Sequence, residues 1–291
     1  MDTEILADGD AVAARAAAFI AAEARAAVAA RGRFVVAVSG GHTPWQMLRL
    51  LAKEEVPWKS VHVAQIDERI APAGDPDRNL AHLRASLLEH APLPPDQIHA
   101  MEVEAPDVEA AAARYARVLE RIAGSPPVLD LAHLGLGPDG HTASLVPGDP
   151  VLDVMDRDVA LTTTVYQGRR RMTLTYPTIN QARRILWVVT GSEKVTMLPR
   201  LLAGDRSIPA GRVGQAQALL LADRAAAADI STPCTSSPRS ASAPSTTPRP
   251  QPTSSTRDPG SSPSARKLTW RAPIQRTARS TSGWNFEPGP P

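Results

Sequence analysis

Residues 134–147 read LGLGPDGHTASLVP and gather Asp139, His141, Thr142 and Ser144 within a few positions of one another. Gly135, Gly137 and Gly140 thread through the same stretch. Histidine is the side chain whose unperturbed pKa lies near neutrality, and glycine lets backbone come close to a ligand. The combination suits proton transfer beside a bound anion. It also matches the dinucleotide pattern G-x-G-x-x-G, which needs a helix straight after the turn to receive the pyrophosphate. Pro147 and Pro150 follow almost at once and block such a helix, so a nicotinamide or flavin site is disfavoured. A purely structural glycine turn is the other alternative.

Strands must deliver this loop and its neighbours. An apolar run over residues 129–136 feeds the glycine loop, and FVVAVS at 34–39 precedes Ser39-Gly40-Gly41-His42-Thr43-Pro44. Pro44 suits a helix first turn, so a glycine turn here opens a helix and offers free N–H groups to an anion. A strand at 61–66 ends in Asp67-Glu68-Arg69, and ILWVVT at 185–190 turns at Gly191-Ser192 into a helix carrying Lys194 in its first turn. Helices are expected at 8–31 (Asp8 or Asp10 as cap, Gly32 as stop), 45–53, 79–90 and 107–123 (Asp107 as cap). Further strands are expected at 98–103 and 219–222, with 159–166 and 172–176 forming a pair. Strands alternating with helices give an α/β fold, a mainly parallel sheet with helices on both faces. Ligands in such sheets bind beyond the carboxyl ends of strands, so the four glycine- and charge-bearing turns are expected to meet in one cleft.

Composition limits the alternatives. The 291 residues are 43% hydrophobic and carry a net charge of +2. Residues 229–291 hold eight basic and three acidic side chains, a net +5, so residues 1–228 carry −3. A mildly acidic body lacks the electrostatic footprint of nucleic-acid binding. The segment from Asp229 is dense in Ser, Thr and Pro and is expected to be a disordered tail following a catalytic domain of residues 1–228. The sole cysteine, Cys234, allows no internal disulfide or cysteine metal cluster. Neither a signal peptide nor a membrane span is read from the sequence, and a cytoplasmic protein is expected.

SGGHTP at 39–44, DER at 67–69, GLGPDGHTASLVPG at 135–148, RMTLTYPTIN at 171–180 and VTGSEK at 189–194 together resemble the 6-phosphogluconolactonase family. The resemblance spans roughly residues 11–228, with the motifs in the family's order. It implies a Rossmann-like fold shared with glucosamine-6-phosphate deaminase and ribose-5-phosphate isomerase. It also implies hydrolysis of 6-phosphogluconolactone in the pentose phosphate pathway, without metal or organic cofactor, by a monomer. Ala71, Arg78, Val146 and Val195 depart from the usual pattern without removing a polar group assigned to chemistry.

The resemblance assigns His141 as the base that takes a proton from water, and Arg69 and Lys194 as a phosphate clamp. An isolated Arg or Lys is otherwise a solvated charge. Gly40, Gly41 and Thr43 are expected to donate to substrate oxygens. Asp67 is expected to bond sugar hydroxyls or orient Arg69, and Asp139 to support the loop or hold His141. Gly137 and Gly140 shape the loop and are candidate oxyanion donors. Thr142 and Ser144 are expected to cap a following helical turn; no G-x-S-x-G elbow is present. The other histidines (His42, His62, His82, His90, His99, His133) are given structural roles, and no spacing among them suggests a metal site. Two rival functions remain. An aminosugar-phosphate deaminase would need an acid after the DGH segment, where Ser144-Leu145-Val146-Pro147 stands, and a non-catalytic sugar-phosphate-binding regulator would use the basic tail on nucleic acid.

Overall fold

The computed structural model describes residues 1–230; the expected tail lies, from residue 231 onward, outside the described residues. In chain order the first half comprises β1 (Asp2–Leu6), α1 (Gly9–Arg31), β2 (Phe34–Val38), α2 (His42–Leu51), β3 (Val61–Gln65), β4 (Asp67–Arg69), α3 (Asn79–Leu83), β5 (Ile98–His99) and α4 (Val108–Ala123). There follow β6 (Leu131–Leu134), β7 (Val159–Leu161), β8 (Arg171–Leu174), α5 (Tyr176–Gln181), β9 (Arg184–Val189), α6 (Leu198–Leu202) and β10 (Ala218–Asp223).

The apolar runs form a seven-stranded sheet, ordered β1-β10-β9-β6-β2-β3-β5, with every neighbouring pair parallel. Because strand side chains alternate between faces, each strand feeds two cores. On β2, Val35 and Ala37 enter one core while Phe34, Val36 and Val38 enter the other; on β9, Ile185, Trp187 and Val189 oppose Leu186 and Val188. Tyr115 and Leu119 of α4 cover the first face, and Ile20 of α1 with Met47 and Leu48 of α2 cover the second. This is the α/β architecture expected, with helices on both faces.

Local signals place the long helices. The Asp8 carboxylate accepts from the Ala11 N–H at 2.9 Å, and Gly32, at φ +75°, ends α1. Asp107 caps α4 in the same way through Ala110, and Gly124 stops it. Other boundaries differ from the sequence reading. The helix expected over 79–90 is a single turn of α3 continued by a π-helical turn, Arg84–Leu88. Only Ile98 and His99 pair in the region expected as a strand over 98–103. β1 was not anticipated; it is a five-residue edge strand lying beside β10.

The DER segment is not the tail of β3. At Ile66 the chain changes sheets: its N–H donates to Val38 O (3.0 Å) and its carbonyl accepts from Leu174 N (2.8 Å). Asp67–Arg69 then becomes β4 of a small antiparallel sheet, ordered β4-β8-β7. The expected pairing of the 159–166 and 172–176 regions is its β7–β8 hairpin. This second sheet stands over the carboxyl edge of the first and carries several cleft side chains.

His133, on β6, is fully buried. Its Nδ1 accepts from the Ser39 N–H at 3.3 Å, and its Nε2 has no partner among the described residues. Burial lowers its pKa to about 4. Between pH 6.5 and 4 the unfolded chain therefore binds a proton that the folded chain refuses, so stability is complete above 6.5 and falls as pH drops through that window. The loss approaches roughly 3 kcal/mol. Denaturant midpoints measured from pH 7 to pH 4 are expected to fall less steeply in His133→Asn than in the parent; parallel slopes would assign the acid limb elsewhere.

Candidate active site

A cleft of about 380 Å³ opens at the carboxyl edge of the parallel sheet, and all four predicted turns reach it. Its walls include Gly40, Gly41 and Thr43 from the β2–α2 turn, Asp67 and Arg69 from β4, Gly137 and His141 from the loop after β6, and Lys194 after β9. Asp139 and Gly140 do not line it, but Asp139 bonds the His141 ring that does.

Backbone geometry explains the glycines at two of these turns. A Cβ on Gly40 would sit 2.1 Å from Asn79 Oδ1, and one on Gly137 would sit 2.0 Å from His141 Nδ1. Gly41, at φ +134°, opens α2 without a side-chain cap. The His42 and Thr43 amides that follow have no acceptor within the helix and present N–H groups to the cleft. The Thr43 and Thr190 hydroxyls share a hydrogen bond of 2.6 Å. A pair of hydroxyls uses one hydrogen in such a bond, leaving the other for a ligand.

His141 belongs to a three-membered cluster. Its Nδ1 lies 2.5 Å from Asp139 Oδ1, and its backbone N–H donates to the same oxygen at 3.1 Å. The Tyr166 hydroxyl donates to Asp139 Oδ2 at 3.0 Å and stands 3.2 Å from His141 Nδ1. Burial alone would raise the Asp139 carboxyl, but the bonds from His141 and Tyr166 outweigh it and hold its pKa well below the usual carboxylate range. An ionised carboxylate only accepts, so the imidazole hydrogen sits on Nδ1 and Nε2 keeps its lone pair.

Several expected roles change. The Gly137 N–H donates to His141 O (2.8 Å) and the Gly140 N–H to Gly137 O (3.0 Å); both amides close the loop and neither serves an oxyanion. Thr142 and Ser144 cap no helical turn. Thr142 bridges to Leu145, Ala143 adopts φ +53°, and Ser144 Oγ donates to Asp67 Oδ2 at 2.7 Å. Asp67 does not orient Arg69, whose Nη1 instead donates to Asp77 O (2.9 Å) and Asn79 Oδ1 (2.6 Å). Burial raises the Asp67 carboxyl, partly offset by Ser144, Arg171 and Arg69. Lys194 ends a three-residue 3₁₀ turn, Ser192–Lys194, ahead of α6. The helix expected to carry Lys194 in its first turn is therefore absent at that residue, and Glu193 lies 3.5 Å from Lys194 Nζ. Of the histidines given structural roles, His42 alone lines the cleft; His82 stacks on Trp45, and His62 pairs with His99 at 3.1 Å.

A sequence model described as glucosamine-6-phosphate isomerases/6-phosphogluconolactonase matches residues 7–221. The chain belongs to that family. A Nostoc relative named 6-phosphogluconolactonase is 35% identical over 236 residues, covering 78% of this chain and 98% of the relative. One of the same name from Mycobacterium tuberculosis is 37% identical over 240 residues, covering 78% and 97%. The crystal structure of 6-phosphogluconolactonase from Thermotoga maritima aligns with a TM-score of 0.68 at 27% identity, covering 76% of this chain and 98% of that one.

The cleft of this glucosamine-6-phosphate isomerase/6-phosphogluconolactonase family member also holds side chains the sequence reading passed over: Asn79, Gln167, Arg171 and Thr190. Arg171 is 4% exposed, its Nε has no hydrogen-bond partner among the described residues, and its guanidinium lies 5.1 Å from the Tyr166 ring centre. A buried, partly unpartnered guanidinium on a cleft wall is suited to an anionic ligand. Its signal was present in RMTLTYPTIN, but only the β4–β8 pairing of Arg69 with Arg171 brings the two cations side by side.

Proposed function

We propose that this chain hydrolyses 6-phosphogluconolactone to 6-phosphogluconate, the lactone step of the pentose phosphate pathway, with His141 as general base. The observation that carries the reading is the convergence, in one cleft, of a carboxylate-held imidazole with Arg69, Arg171 and Lys194. The names of the relatives support the reaction class. In this reading Nε2 of His141 takes a proton from water as the water oxygen bonds to the lactone carbonyl carbon. The ring C–O bond then breaks, and the alkoxide takes the proton back from Nε2. Asp139 stays ionised and holds Nδ1–H throughout. The cations bind the phosphate dianion and so fix the ester relative to the imidazole, which is how binding energy remote from the reacting bond is used for orientation.

The test is a coupled assay of lactone hydrolysis by the full chain, with spontaneous hydrolysis subtracted. Activity above background with no ammonia released from glucosamine 6-phosphate supports the lactonase over the deaminase; the opposite pattern removes it. Lys194→Ala and Arg69→Ala are expected to raise KM about tenfold or more while changing kcat less, since a bond to a charged group contributes about 1.5–3 kcal/mol. An unchanged KM in both variants would discard the phosphate clamp.

A further inference from the structure

We propose that Tyr166 is a positioning residue for the His141–Asp139 pair, its hydroxyl holding the carboxylate so that the imidazole hydrogen stays on Nδ1 and Nε2 stays free for water. The inference rests on His141 being the base. Asp139 and His141 are two residues apart on a glycine loop, and nothing in the loop itself fixes the second carboxylate oxygen. Tyr166 does so from another element, through the 3.0 Å bond to Oδ2. Its ring meets the imidazole edge-on, with centroids 5.2 Å apart and planes at 67°, which limits rotation of the imidazole.

Tyr166 is itself held in place. It precedes a two-residue hairpin turn, Gln167-Gly168, with φ +50° and +80°. Consecutive positive φ angles define the tight turn that matches strand twist. Tyr166 and Arg169 exchange both backbone hydrogen bonds across it. Arg171 lies over the phenol ring and donates from Nη2 to Gln167 Oε1 at 3.1 Å. At the tip, Arg169 Nη2 donates to Asp75 Oδ2 at 2.8 Å. The hairpin is therefore anchored at its turn and along its returning strand.

The hydroxyl has one hydrogen and two acceptors in reach, Asp139 Oδ2 and, in the other tautomer, His141 Nδ1. An ionised carboxylate is the stronger acceptor. Burial, then the neighbouring Asp139, raises the tyrosine pKa to about 12, so it remains a donor across the working pH range. Without it, Asp139 can rotate, and the Nε2–H tautomer, which cannot take a proton from water, gains population.

The test is Tyr166→Phe in the full chain, which keeps the ring and removes the hydrogen. Expected are a fall in kcat of about tenfold, a KM within twofold of the parent, and ¹⁵N imidazole signals of His141 that move from the Nδ1–H tautomer toward a mixture. A tautomer balance that does not move overturns the proposal, whatever kcat does. A kcat loss matched by an equal rise in KM overturns it as well, by making the tyrosine a wall of the substrate site. Normal turnover in His141→Ala would remove the base assignment instead, a separate outcome, because the tautomer signal reports the hydrogen bond without reference to turnover.

Discussion

Replacing His141 with alanine is expected to lower kcat for lactone hydrolysis by about 10²–10⁴-fold, the contribution of a positioned general base, while leaving the fold intact. The loop does not depend on the ring. Gly137 N–H to His141 O, Gly140 N–H to Gly137 O and Ala210 N–H to Gly140 O are all backbone bonds. The imidazole touches Asp139 and Tyr166 and contributes to neither apolar core. Asp139→Asn makes the companion test. An amide in that place can offer a hydrogen to Nδ1, favouring the tautomer whose Nε2 already bears a proton, so kcat falls with little change in KM. Steady-state kinetics and a melting curve on each variant suffice. Turnover near the parent value in His141→Ala would remove the base.

Replacing Glu68 with alanine is expected to cost about 3–5 kcal/mol of stability, the range for removing one partner of a buried ion pair. Glu68 is fully buried, and its carboxylate accepts from four directions. Oε1 takes the N–H of Arg69 (2.8 Å) and of Asn79 (2.7 Å); Oε2 takes Leu80 N–H (2.8 Å) and Gln65 Nε2 (2.9 Å). It therefore caps α3 from outside the helix, placing Asn79, and through it Arg69, at the cleft. Arg78, only 3% exposed, pairs with it at 3.3 Å and would be left as a buried charge with Glu104 as its remaining carboxylate partner. Urea denaturation measures the loss. Glu68→Gln combined with Arg78→Met removes both charges at similar bulk and is expected to recover part of it. A loss under 1 kcal/mol in Glu68→Ala would show that water replaces these bonds. The same variant is expected to raise KM, because Arg69 loses its Asn79 support.

The parts of the molecule that were legible in the sequence are those fixed by neighbours in the chain. Asp8 and Gly32, or Asp107 and Gly124, bracket helices through contacts three or four residues away. The double-faced apolar strands announce a parallel sheet, and turns at strand ends collect along one edge. The corrections fall where distant segments decide. Ile66 hands the chain from one sheet to another because Val38 and Leu174 bond it from two sides. Ser144 reaches Asp67 across 77 positions and so forms a tether instead of a cap. Tyr166 carried a usable sign: the alternating runs at 159–166 and 172–176 are joined by five residues containing Gly168, which marks a hairpin. What the hairpin tip would touch depended on where β4 and β8 lie. β1 gave little signal because a strand five residues long with, among the described residues, one neighbour has little to specify it.

The pairing of β1 with β10 has a consequence for how the protein is made. A ribosome delivers Asp2–Leu6 more than two hundred residues before Ala218–Asp223, its one sheet neighbour among the described residues. β1 must wait for this partner while the intervening chain is synthesised, and contacts this far apart in sequence are slow to close. Its Asp2 and Glu4 carboxylates discourage edge-to-edge association during that interval. Translation halted before Ala218 would strand β1 without a partner and bare one side of β9, whose Leu186, Trp187 and Val188 are otherwise buried. Aggregation of the nascent chain is the expected fate of such truncated products.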